Sequence, residues 1–182
     1  MIIFDEQVSV HYGFIHVFSL ADDADGAPTE TGEFDGDPVQ ASRGQTVGLA
    51  GARVPHQLSL MTGLHTGDVP LTVTWDEEEP PLDDVWTDAV EVSWQLLGPA
   101  LDLQTFEDDY TATVPRAGWH RARYCAAGMD AGREVDTTDE DEQAPDRYLL
   151  QLWPAPESPE ALVREGSEIA AYWHRVARGE GT

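Results

Sequence analysis

The chain has 182 residues and a mass of 20.0 kDa, a length that predicts one domain over residues 1–182. It carries 35 acidic residues against 10 basic ones, all of them arginine, and the formal net charge of −25 disfavours direct binding to nucleic acid or to an anionic membrane. The single cysteine excludes an intramolecular disulfide, and the absence of a long apolar stretch excludes a membrane-spanning helix.

Alternation of apolar and polar residues with a period of two dominates the chain up to residue 153 and predicts eight strands. The clearest run contains Val69, Leu71, Val73 and Trp75, and Pro70 within it indicates an edge strand or the start of a strand. The predicted strands span residues 8–19, 46–52, 56–61, 69–75, 88–94, 110–114, 119–126 and 147–153.

One helix is predicted, over residues 159–178. Ser158 is a suitable N-cap and Pro159 suits the first helical position, whereas Gly166-Ser167 marks a bend or a break. Eight short strands and one helix predict an all-β or β-rich α+β fold. We expect an antiparallel β-sandwich or jelly roll with the C-terminal helix packed on it.

Twenty-one of the 35 acidic residues lie in three segments, residues 21–38, 76–84 and 130–146, which are predicted to be exposed loops because like charges resist compaction. The acidity is open to three interpretations: solvation alone, calcium binding, and a surface that substitutes for phosphate on a basic partner. A calcium loop resembling Asp23–Gly26 fails, because Ala21 and Gly32 occupy ligand positions of that motif. No cofactor or metal is therefore predicted.

Catalytic patterns are weak in this sequence. It has no lysine for a Schiff base, no paired-cysteine zinc pattern and no phosphate-binding glycine loop. An enzyme that uses His120 or Cys125 is the third choice of function, since a cysteine inside a strand is more simply a small buried residue. The chain is predicted not to be an enzyme.

Five of the six tryptophans fall on predicted strands, strand ends or the helix, where core packing is expected. Trp86 is the exception, because it follows Asp83-Asp84-Val85 at the end of the second acidic segment. Core burial and an exposed anchor of the kind enriched at protein interfaces are both open for this residue.

The segment Asp146–Pro156 (DRYLLQLWPAP), together with Ala170–His174 (AAYWH), resembles a group of small acidic actinobacterial proteins without a characterised function. The strand Tyr12–Val17 (YGFIHV) and the order of the strands are also distantly similar to the competence protein J family. That resemblance implies a β-rich inhibitor of a competence nuclease. It carries over no inhibitory residue position by position.

The sequence thus predicts a non-enzymatic, cytoplasmic protein that binds a basic protein partner, of which a nuclease is the candidate. Its carboxylates would occupy a basic groove in place of phosphate. The alternative is a jelly roll that binds carbohydrate or another small ligand, with an exposed tryptophan and with His56 or His65 as hydrogen-bonding groups. The predicted partner-binding residues are Asp76, Glu77, Glu78, Glu79, Asp83, Asp84 and Trp86, with a second patch at Asp139, Glu140, Asp141 and Glu142.

Overall fold

The computed structural model describes residues 1–21, 37–139 and 142–180, which form eleven strands and three helices. The strands are β1 (Ile2–Val10), β2 (Phe14–Leu20), β3 (Ala50–Gly51), β4 (Gln57–Met61), β5 (Gly67–Trp75), β6 (Asp88–Leu96), β7 (Ala100–Gln104), β8 (Asp109–Thr113), β9 (Gly118–Ala127), β10 (Arg147–Pro154) and β11 (Ala161–Arg164). The helices are α1 (Pro38–Ser42), α2 (Met129–Val135) and α3 (Glu168–Ala177).

The strands make two sheets that pack face to face around one core. The larger sheet has the order β1-β5-β10-β9-β6-β11, and the smaller has the order β3-β4-β2-β7-β8. Alternate residues of each strand enter the core, as in the buried Val69, Leu71 and Val73 of β5. This architecture confirms the prediction of a β-rich α+β sandwich with a C-terminal helix.

The first predicted strand, residues 8–19, is in fact two strands joined by a tight turn. The turn contains Tyr12 and Gly13, which both have positive φ, at +63° and +72°. Two successive positive φ angles are the signature of a type I′ hairpin turn. Here β1 pairs with β5 in one sheet and β2 pairs with β4 in the other, so this turn carries the chain between the sheets.

The strand that contains Pro70 is not at an edge of its sheet. It lies between β1 and β10, and its pairing with β10 is parallel, so the larger sheet is mixed rather than wholly antiparallel. Pro70 precedes Leu71, the first residue of β5 that pairs with β10. The missing N–H is tolerated because the ladder on that side begins only after the proline.

The C-terminal helix begins at Glu168, not at Pro159. Residues 161–164 form β11 instead and pair with the edge of β6. Ser167 is the N-cap of α3, and its side chain accepts a hydrogen bond from the N–H of Ala170. Asp130 accepts the N–H groups of Glu168 and Ile169, so the helix starts where three donors find partners.

Four further elements depart from the predicted pattern. Helices α1 and α2 and strand β7 were not expected, and the predicted strand at residues 46–52 is reduced to Ala50–Gly51. None of the helices in the described part of the chain is long and apolar enough to cross a membrane.

A buried carboxylate connects the two sheets. Asp146 lies just before β10 and is 1% exposed, and its Oδ2 accepts the N–H groups of Gly63 (3.1 Å) and Leu64 (2.8 Å) in the loop after β4. The hydroxyl of Tyr148 donates to the same oxygen. One acidic side chain therefore satisfies three buried donors from two separate parts of the chain.

Replacing Asp146 with alanine should destabilise the protein by about 3 kcal/mol, because the buried N–H of Leu64 and the buried hydroxyl of Tyr148 lose their acceptor and the N–H of Gly63 keeps only the Tyr148 oxygen. Thermal unfolding should then shift down by roughly 6–12 °C for a chain of this size. The exposed Asp139 provides the control, since Asp139→Ala should change stability by less than about 0.5 kcal/mol. Equal melting temperatures for the two variants would contradict this role of Asp146.

Candidate functional site

The second acidic segment continues to Trp86, and we call residues 76–86 the acidic loop. It crosses the outer face of the larger sheet, and its carboxylates are exposed or half-buried, as predicted for a loop. Asp76 at its start lies 3.1 Å from the amino group of Met1. Glu77 and Glu78 are exposed and pair with no cation among the described residues.

Arginines hold the acidic loop to the sheet. Arg123 is 3% exposed on the outer face of β9, and its guanidinium donates to the carboxylate of Glu79 and to the carbonyl of Pro80. Arg164 of β11 donates to the carbonyls of Asp83 and Trp86 and lies 3.1 Å from the Asp84 carboxylate. The loop is thus ordered, and two of its predicted partner-binding carboxylates already face an arginine.

Under the loop, a compact charge network occupies the sheet surface. Glu91 of β6 bridges Arg121 and Arg123, with N–O distances of 3.0 Å and 2.7 Å. Arg123 also lies over the ring of Trp153, 4.9 Å from its centroid. These contacts explain why two arginines are buried on an outer face. Glu91 neutralises both, Arg123 also stacks on Trp153, and Arg121 also donates to Ser93 and Ser158.

The sequence left both core burial and an exposed anchor open for Trp86, and in the structure its side chain is half-buried. The guanidinium of Arg147 lies 5.5 Å from its ring centroid. Arg147 also lines a cleft of about 530 Å³ with Glu142 of the second predicted patch. The two predicted patches therefore approach each other around Arg147.

The third acidic segment differs from the prediction in two ways. Its first part is α2 rather than a loop, and Asp146 at its end is buried. Asp139 and Glu142 are exposed, and the N–H of Glu142 donates to the carbonyl of Asp139. Glu140, Asp141 and residues 22–36 of the first acidic segment lie outside the described residues.

The two candidate catalytic groups are enclosed in the fold. Cys125 is fully buried, and burial raises the pKa of its thiol to about 12. Burial also lowers the pKa of His120, whose Nε2 accepts from the indole of Trp75 while its Nδ1 donates to the carbonyl of Gly118. Both ring nitrogens of His120 are occupied by structural hydrogen bonds. Neither side chain is exposed to solvent.

No cluster of three potential metal ligands occurs within residues 1–21, 37–139 and 142–180. His56 and His65, the two histidines predicted as possible hydrogen-bonding groups for a small ligand, line different clefts. His65 faces a cleft of about 960 Å³ formed by the β1–β2 turn, α2 and α3, beside Tyr12 and Tyr172. His56 faces a smaller cleft of about 320 Å³ beside Trp119, which is 40% exposed although its position on a strand predicted burial.

No protein-family model and no curated protein sequence matches the chain. Solved structures with a similar fold include ComJ from Bacillus subtilis, described as the inhibitor of the DNA degrading activity of NucA. The TM-score is 0.54 at 11% identity, and the alignment covers 85% of this chain and 98% of ComJ. The chain has the ComJ fold.

A second similar structure is the product of crocagin biosynthetic gene J, with a TM-score of 0.51 at 15% identity over 86% of this chain and 98% of that one. The distant likeness to the competence protein J family, inferred from one strand and the strand order, is thus confirmed for the fold. The closer resemblance to small acidic actinobacterial proteins stays a prediction.

Thiol labelling tests the enclosure of Cys125. With a pKa of about 12, roughly one thiol in 10,000 is ionised near pH 8. A thiol reagent should therefore leave the native protein unlabelled and should react with one group per chain after unfolding in guanidinium. Rapid labelling of the native protein would contradict the buried, inert thiol and would revive the enzyme hypothesis.

Proposed function

We propose that this protein binds a basic protein partner without catalysing a reaction, and that the partner is a nuclease whose DNA-binding groove it occupies. The observation that carries this proposal is the match to ComJ over 98% of that inhibitor. The net charge of −25 supports it independently, because a groove that binds DNA is positively charged.

The carboxylates available for such a partner are exposed ones that neutralise no buried arginine. Glu77 and Glu78 project from the acidic loop, and Asp139 and Glu142 from the second patch. Asp84 is fully exposed beside Arg164, and a solvated pair of that kind separates at little cost when a stronger cation arrives. These groups would substitute for the phosphates of the nucleic acid.

The arginine contacts beneath the acidic loop support this function in a different way. A loop that is already held in place loses little conformational entropy when a partner binds. Arg123 and Arg164 hold the loop from below, so Glu77 and Glu78 project from an ordered backbone. Preorganised charge of this kind speeds association more than it raises total affinity.

In an extract of the source cells, the purified protein should inhibit the degradation of supercoiled plasmid DNA at about 0.15 M salt. Inhibition should weaken steeply between about 0.1 M and 1 M salt, because the Debye length falls from about 10 Å to about 3 Å. Activity without the protein is measured at each salt concentration. No inhibition at a large molar excess at the lower salt would overturn the proposal.

Two double variants with the same net charge test whether the position of the carboxylates matters or only their number. Glu77→Gln with Glu78→Gln removes two loop charges and should slow association with the inhibited nuclease several-fold. Glu6→Gln with Glu157→Gln removes two charges from exposed residues elsewhere and should change the rate by less than about twofold. Equal effects of the two pairs would mean that only the net charge matters.

One observation favours a second candidate function, the binding of carbohydrate or another small ligand. Trp119 and His56 line the same cleft of about 320 Å³. The Nδ1 of His56 donates to the carbonyl of Gln95 at 3.1 Å, which leaves its Nε2 as an acceptor. An exposed indole beside a hydrogen-bond acceptor suits a sugar, whose C–H face stacks on the ring and whose hydroxyl donates.

Glucose, galactose, mannose and N-acetylglucosamine at millimolar concentration provide the test of this second candidate. A sugar that binds should change the tryptophan fluorescence of the wild-type protein and of Trp86→Ala, but not of Trp119→Ala. An unchanged spectrum with all four sugars would argue against carbohydrate in this cleft.

A further inference from the structure

An exposed cluster of aromatic rings lies at the β1–β2 turn. Tyr12 is 56% exposed and Phe106, in the β7–β8 loop, is 58% exposed, and their ring centroids are 5.4 Å apart in an edge-to-face arrangement. His11 lies 5.9 Å from Phe106, and His65 lies 5.5 Å from Tyr12. We call these four residues the aromatic patch. Large rings that contact one another and remain in solvent are typical of interaction sites.

The backbone at Tyr12 is strained to hold this position. Its φ of +63° lies in the left-handed region, which costs a residue other than glycine or asparagine about 1–2 kcal/mol. The turn is fastened by neighbours, since the N–H of Gly13 donates to the carbonyl of His65 and the N–H of Thr62 donates to the carbonyl of Gly13. The fold thus maintains a strained turn that presents a tyrosine to solvent.

Carboxylates surround the aromatic patch. Glu107 lies 4.0 Å from His11, and the carbonyl of Asp136 accepts the N–H of His65. Asp130, Glu134 and Glu168 line the cleft of about 960 Å³ that Tyr12 and His65 also face; two arginines, Arg133 and Arg175, line it as well. Arg133 pairs with Asp136 at 3.5 Å, and the other four carboxylates outnumber the remaining Arg175, so the rim of the patch is negative.

We infer that the aromatic patch is the anchor through which this protein holds its basic partner, an inference that rests on the proposed function. An apolar aromatic centre with a charged rim is the usual anatomy of a binding hot spot. The negative rim selects a basic protein, and Tyr12 and Phe106 would take the stem and the cation of an arginine or lysine. A second copy of this chain is disfavoured, because each copy carries a charge of −25.

The aromatic patch suits an anchor better than Trp86 does. The ring of Trp86 is half-buried and already stacked against Arg147, so a partner would have to displace an existing contact. The rings of Tyr12 and Phe106 are more than half exposed, and within residues 1–21, 37–139 and 142–180 the aromatic rings beside them all belong to the patch. Binding there would bury new aromatic surface without breaking a cation–π pair.

The test replaces each ring in turn and measures inhibition of plasmid degradation in source-cell extract. Tyr12→Gly removes the ring and also relieves the strained φ, so Tm should stay within about 4 °C of the wild type. Phe106→Ala removes the second ring without touching the turn. Each variant should inhibit at least about 30-fold less strongly, through faster dissociation.

Leu97→Ala is the control, because it removes an apolar side chain that is 44% exposed in the β6–β7 turn, outside the patch and the three clefts described above, and should inhibit as the wild type does. Hen lysozyme serves as a basic protein attracted by charge alone, and its weak binding should be the same for all variants. The salt dependence of inhibition should also be unchanged, since no charge is removed.

The outcomes separate the two proposals. If the wild type inhibits and both ring variants inhibit equally well, the aromatic patch is not the anchor and the nuclease-inhibitor proposal stands. If Leu97→Ala loses inhibition to the same extent as the ring variants, the loss is not specific to the aromatic patch and this inference fails. If the wild type fails to inhibit, the proposed function and this inference fail together.

Discussion

The rest of the fold depends on one buried carboxylate between the two sheets. The hydrogen bonds of Asp146 join the start of β10 to the loop after β4, and the glycines packed around this contact have no room for a side chain. A Cβ on Gly132 would lie 2.5 Å from the Asp146 carboxylate, and one on Gly63 would lie 2.2 Å from the carbonyl of Met129. This close packing fixes α2 against the loop that holds His65, and that loop in turn fastens the β1–β2 turn. The close packing around Asp146 therefore fixes the position of the aromatic patch.

Carboxylates serve three physically different purposes in this protein. Asp88, Asp130 and Asp146 accept backbone N–H groups and hold elements together. Glu79 and Glu91 neutralise buried arginines on the outer face of the larger sheet. The remaining exposed carboxylates are available to a partner. The net charge of −25 is therefore not spread over equivalent surface groups, and in the proposed function only the third group would substitute for phosphate.

Backbone strain and an exposed aromatic ring coincide at the β1–β2 turn. A glycine or asparagine in place of Tyr12 would suit the backbone better, yet the turn carries a tyrosine whose ring remains in solvent. Natural proteins retain such local costs where the surrounding structure determines the conformation and the residue serves another purpose. Here the hydrogen bonds from Gly13 and Thr62 fix the conformation of the turn. The partner proposed for the aromatic patch would give the tyrosine ring its other purpose.

The sequence by itself determined the sandwich, because period-two alternation is a local property of the backbone. It correctly located the strands around residues 69–75, 88–94, 119–126 and 147–153, and the exposure of residues 77–79. The tertiary structure decided the rest. Residues 161–164 became a strand because the edge of β6 lies beside them, and Asp146 is buried while Asp139 is exposed because donors from a distant loop meet only one of them. Local patterns record which way a side chain points, whereas pairing and burial depend on which distant segment lies opposite.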